Sequence, residues 1–134
     1  MIATTIEQSK HLLELGLSPE SADMWWSNRF VYRSPTPMIG VATEQNRLYT
    51  FKWCEMDIPA WSLSALLEVM PSFIDYKGQK LRLTIEKAGI WNVFYLGIEH
   101  RLNEIWFNGE YGEPIEPAYK MVCWLLTNNL ITNY

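Results

Sequence analysis

The chain has 134 residues, 49% apolar and 19% charged, which is the length of one domain with enough apolar surface for one core. That balance excludes global disorder, which needs low hydrophobicity and high charge. Lys and Arg number 11 against 15 Asp and Glu, a net charge of −4, so the chain repels phosphate backbones and nucleic-acid binding is not expected.

The N-terminus, Met1 to Glu7, has no basic region followed by an apolar run, so it does not read as a signal peptide. The longest unbroken apolar run is Met121 to Leu126, far short of the ~20 residues of a membrane span. No membrane association is expected, and a cytoplasmic location with Cys54 and Cys123 reduced is.

The first helix is expected to open on a capping box, Thr4 with Glu7, or Thr5 with Gln8 one residue later. Ile6, Leu12, Leu13 and Leu15 supply its apolar side, and Gly16 ends it with Leu17 folding back on Leu12. Ser18-Pro19 then predicts a second short helix carrying Ala22, Trp25 and Trp26 inward. Residues 27–33 read as a strand with Phe30 and Tyr32 on one face. Ser34-Pro35-Thr36-Pro37 is extended. A further strand is expected over Leu48–Trp53, where Tyr49, Phe51 and Trp53 alternate.

The middle helix has the clearest signals. Ser62 is its N-cap, Trp61 and Leu66 form a hydrophobic staple, and Leu63, Leu66, Leu67 and Met70 share one face. Pro71 closes it. Three strands follow, over Lys80–Lys87, Ile90–Ile98 and Glu104–Phe107. The first alternates, Leu81, Leu83 and Ile85 against Arg82, Thr84 and Glu86, which means one dry and one wet face. The second is apolar on both faces, as in a central strand covered on both sides or lying at an interface. The last helix spans about 115–128, with Asn128-Asn129 as its stop and Pro117 leaving its start open. Clustered strands between helices predict one α+β domain over 1–134. Its antiparallel sheet has about five strands, packed by three to four helices.

Three segments together resemble a known family. They are Thr5 to Lys10 through Leu12–Leu17 to Ala22-Asp23-Met24, then Pro59–Leu67, then Pro114-Ile115-Glu116 with Tyr119, Met121 and Val122. The chain is similar over roughly half its length to small uncharacterised proteins of gut bacterial genomes, prophages, phages and other mobile elements. The resemblance implies a phage or mobile-element origin and carries no catalytic residue with it. Pro117 departs from the pattern, where a helix-friendly residue is expected.

Chemistry-bearing constellations are sparse. His11 and His100 stand apart in sequence, and Cys54 and Cys123 lack metal-ligand spacing. No metal, cofactor or catalytic residue is therefore assigned. Glu110, Glu113 and Glu116 lead into the last helix, where carboxylates suit the helix dipole.

Aromatic content is the unusual feature: seven Trp, seven Tyr and five Phe. Trp61 and Trp124 are expected in the core. A domain this small has little room for all nineteen rings, so Trp26, Tyr32, Trp53, Trp91, Trp106 and Tyr111 are the candidate binding residues. The expected function is a non-enzymatic interaction module, binding a protein partner or a second copy (a homodimer) through an aromatic-rich sheet face. The alternative is a small-molecule or carbohydrate binder, or a small hydrolase, with an acidic aromatic-lined cleft. A phage structural or anti-defence component overlaps the first reading.

Overall fold

The computed structural model describes residues 3–27, 38–41, 58–97, 104–108 and 113–131, with backbone alone at 27, 38–41 and 104–108. Among these the chain is α+β with antiparallel pairing throughout. The strands form two sheets instead of the single one expected. β1 (Met24–Ser27), β2 (Met38–Val41) and β3 (Ile58–Ala60) make one, in the order β2-β1-β3. β4 (Phe73–Tyr76), β5 (Gln79–Ala88), β6 (Ile90–Gly97) and β7 (Glu104–Asn108) make the other, in that order. The described helices are α1 (Ile6–Glu14), α2 (Leu63–Val69) and α3 (Ile115–Thr127), with a single 3₁₀ turn at Pro19–Ser21.

The capping box of α1 is built one residue later than its first sequence match. Thr5 Oγ1 accepts from the Gln8 amide at 3.1 Å, and Gln8 Oε1 accepts from the Thr5 amide at 2.9 Å. Thr4 is fully buried and has other partners. At the far end Gly16 has φ 98°, and the Leu17 amide donates to the Leu12 carbonyl at 3.0 Å, the expected Schellman closure. α3 ends the same way: Asn129 sits at φ 56° and the Leu130 amide reaches Leu125 O at 2.9 Å.

The second short helix is corrected. Ser18 caps only the 3₁₀ turn, and Ala22 is already extended at ψ 144°. Trp25 and Trp26 lie on β1, which pairs with both β2 and β3. Two partners for the strand outweigh the weak propensity of a short helix. Pro59 sits in β3, an edge strand, where its missing N–H is tolerated. β2, β3 and β4 are additions to the expected elements, so the described strands number seven where about five were expected. The strands expected beyond Ser27 and over Leu48–Trp53 lie outside the described residues.

α2 starts as expected: Ser62 Oγ accepts from the Ala65 amide at 3.2 Å, and Met70 is extended ahead of Pro71. α3 begins at Ile115 after Pro114, with no side-chain cap. Pro117 falls in its first turn, where amides have no intrahelical acceptor, so the ring costs no hydrogen bond.

β4 and β5 are joined by a two-residue turn in which Lys77 (φ 51°) and Gly78 (φ 76°) are both left-handed. Lysine adopts this region reluctantly. Lys77→Asn should therefore stabilise the protein by about 0.5 kcal/mol, read from the urea midpoint at unchanged slope.

α3 lies on one face of the four-stranded sheet against β6 and β7, α2 packs on α3, and α1 contacts β3 and α3. Leu12, Leu66, Leu81, Val93, Tyr95, Met121, Val122 and Leu125 are completely buried there. A smaller cluster, Ala3, Met24 and Ala60 with Trp26 against it, belongs to the three-stranded sheet. The Tyr95 hydroxyl donates to the Pro71 carbonyl at 2.5 Å, tying the central strand to the end of α2. Burial drives the Tyr95 pKa above its ordinary value of 10.0. A folded-state pKa above the unfolded one gives stability that is complete below pH 10 and lost as the pH rises beyond it. Stability should thus fall above about pH 10. Tyr95→Phe should cost ~1 kcal/mol at neutral pH and flatten that alkaline decline in denaturation series.

Candidate functional site

Alternation along the strands assigns the residues of the four-stranded sheet to two faces. Ile74, Leu81, Leu83, Val93 and Tyr95 look toward the helices. Phe73, Arg82, Thr84, Glu86, Asn92, Phe94 and Leu96 occupy the other, outer face. Cross-strand register sorts these into rows. Phe73 stands opposite Arg82, which stands opposite Leu96. Thr84 stands opposite Phe94, which stands opposite Trp106. Glu86, Asn92 and Asn108 form the last row.

This outer face mixes apolar and polar groups. Phe73 is 47% exposed, and Phe94 and Leu96 are half-buried. The Lys80 ammonium lies over the Phe73 ring, 4.8 Å from its centre, a cation–π contact. Thr84 Oγ1 is buried without a hydrogen-bond partner, among apolar neighbours in register.

β5 and β6 run on beyond their neighbours. β4 pairs with β5 only as far as Arg82, and β7 pairs with β6 only from Asn92 onward. Among the described residues, no further strand runs alongside Lys87–Trp91. Ile90 is exposed there, as is Ile85 just before it, and the Lys87 ammonium lies 5.5 Å from the centre of the Trp91 ring. The expected dry face of β5 fades along the strand: Leu81 is buried, Leu83 half-buried and Ile85 exposed.

The sequence candidates are dispersed. Trp26 is half-buried on β1, and its indole N–H donates to Thr4 O at 2.8 Å. Trp91 is half-buried at the start of β6. Trp106 holds an outer-face register position opposite Phe94. Tyr32, Trp53 and Tyr111 lie outside the described residues. Trp61 is fully buried, and Trp124 is half-buried with an edge-to-face contact to Tyr76 at 5.1 Å. The large apolar residues found exposed, Phe73, Ile85 and Ile90, were not among the candidates. The alternation of Phe73 and Asp75 with Ile74 and Tyr76 before Lys77-Gly78 was the signal that could have located Phe73 on a hairpin face.

The remaining chemistry-bearing groups have ordinary surroundings. Glu116 is 3.4 Å from Lys120 one turn on, and exposed His11 is 3.8 Å from Glu14. Burial raises the Cys123 thiol pKa, which suppresses the nucleophilic thiolate. The Tyr119 hydroxyl beside it is also shifted upward, by burial first and then by its hydrogen bond to Cys123. No group of three or more His, Cys, Asp or Glu that could hold a metal occurs among the described residues. None of their helices is long and apolar enough to cross a membrane. Comparison with protein-family models, curated proteins and solved structures gives no match to this chain.

Proposed function

We propose that this chain is a non-enzymatic interaction protein of the cytoplasm, encoded by a phage or other mobile element. It binds another protein, or a second copy of itself, through the outer face of the four-stranded sheet. The observation that carries this reading is the row structure of that face. Leu96 and Phe94 follow one another on β6, Phe94 stands opposite the Trp106 position, and Phe73 lies across the exposed Arg82 from Leu96. Aromatic side chains and arginine on one accessible face are the residue types enriched at protein interfaces. The origin rests on the resemblance of the α1, α2 and α3 segments described above.

The test compares wild type with Phe73→Glu. Wild type should self-associate in analytical ultracentrifugation, or recover a discrete partner from host extract, and Phe73→Glu should lose that association at unchanged thermal stability. Phe73 is exposed, so the substitution spares the core. Identical behaviour of the two proteins sinks the proposal.

A further inference from the structure

The edge of β5 offers a second surface, distinct from the sheet face. The turn at Lys77-Gly78 closes the pair Tyr76 and Gln79, and the Leu83 amide donates to the Ser72 carbonyl at 2.9 Å. Odd-numbered residues of β5 therefore turn their N–H and C=O groups toward β4, and even-numbered ones toward β6. Beyond Leu83, β4 no longer runs alongside. Ile85 and Lys87 consequently present two N–H and two C=O groups at an edge that no described strand pairs. An edge of this kind is a template for another strand.

We propose that the β5 edge from Ile85 to Lys87 binds an extended, acidic and apolar segment of a partner protein as an added antiparallel strand. Charge favours that occupant. Near that edge stand the cations Arg82 and Lys87 against the single acid Glu86, within a chain of net charge −4. Ile85 and Lys87 lie on one face of β5, so the incoming strand sets an apolar residue on Ile85 and a carboxylate on Lys87.

A second copy fits poorly. Pairing about a twofold axis through Ile85 drives the copy into Ser72 beside Leu83. An axis through Glu86 sets Glu86 against its own counterpart, and one through Lys87 does the same with lysines. Like charges directly opposite are destabilising.

The probe is the capped peptide acetyl-Thr-Val-Asp-Thr-Val-Thr-amide, titrated into the ¹⁵N-labelled full chain. The Ile85 and Lys87 amides should shift on binding. N-methylation of the peptide's Asp and second Val should weaken binding about tenfold or more, since two edge hydrogen bonds are lost. Replacing that Asp by Lys should weaken it similarly. Ile85→Pro should abolish binding while far-UV circular dichroism stays native, because the lost N–H faces away from β6. Should that variant unfold, the N-methyl comparison alone decides. Unmoved Ile85 and Lys87 amides at millimolar peptide, or equal binding of the methylated peptide, overturns the proposal. Shifts of the same amides with protein concentration alone assign the edge to a second copy and also overturn it. Failure here leaves the sheet-face reading to its own test.

Discussion

Trp61→Ala should destabilise the protein by about 3–5 kcal/mol, the range for removing a large aromatic from a packed core. Trp61 is completely buried, and its indole N–H donates to Ser21 Oγ at 2.9 Å. It follows β3 directly and precedes the N-cap of α2, so it joins the small sheet to the main core. Truncation would leave a large cavity, because helices and sheet close around it from separate parts of the chain. Trp61→Phe should fill most of that volume and lose chiefly the bond to Ser21, a cost of about 1–2 kcal/mol. Urea denaturation followed by circular dichroism would read both. A loss under 1 kcal/mol for the alanine variant would mean that Trp61 is not at the centre of the packing.

Thr4→Val should cost about 2–4 kcal/mol although it hardly changes volume. Thr4 Oγ1 accepts from the buried Trp61 amide at 3.0 Å and pairs with Ser9 Oγ at 2.8 Å. Its main chain is engaged as well: the Thr4 amide donates to Trp61 O at 2.9 Å, and Thr4 O accepts from the Trp26 indole. Valine leaves the buried Trp61 N–H without its acceptor and Ser9 Oγ without its partner. Thr4→Ser keeps the oxygen and loses one methyl, so its cost should stay near 0.8 kcal/mol. The gap between Val and Ser isolates the hydrogen bond from the packing. Equal losses for the two variants would show that the methyl matters and the oxygen does not.

The same neighbourhood holds Asp23, whose carboxylate accepts from the Ser62 amide at 2.9 Å and from the Ser62 hydroxyl. Thr4, Ser9, Ser21, Asp23, Trp26, Trp61 and Ser62 thus form a linked polar seam between the N-terminal segment, β1 and the start of α2. No spacing rule in the sequence predicts it, since partners such as Thr4 and Trp61 are 57 residues apart. Local readings of the same residues gave Thr4 a capping role. The role passes to Thr5 because burial of Thr4 against Trp61 satisfies more groups than a surface cap would.

Local chemistry by itself determined both ends of α2 and the C-terminal ends of α1 and α3. Gly16, Ser62, Pro71 and Asn129 act where steric rules place them, because caps and turns depend on neighbours a few residues away. Alternation and apolar runs likewise marked β5 and β6, and the clustering of strands marked the α+β class. Only the tertiary structure decided that the strands divide into two sheets, that Met24–Ser27 is strand, and that Thr4 is buried. It also decided which described rings stay dry and which part of β5 no described strand pairs. Those outcomes depend on pairing and coverage between distant segments, and a residue's own type and spacing carry no record of what comes to lie against it.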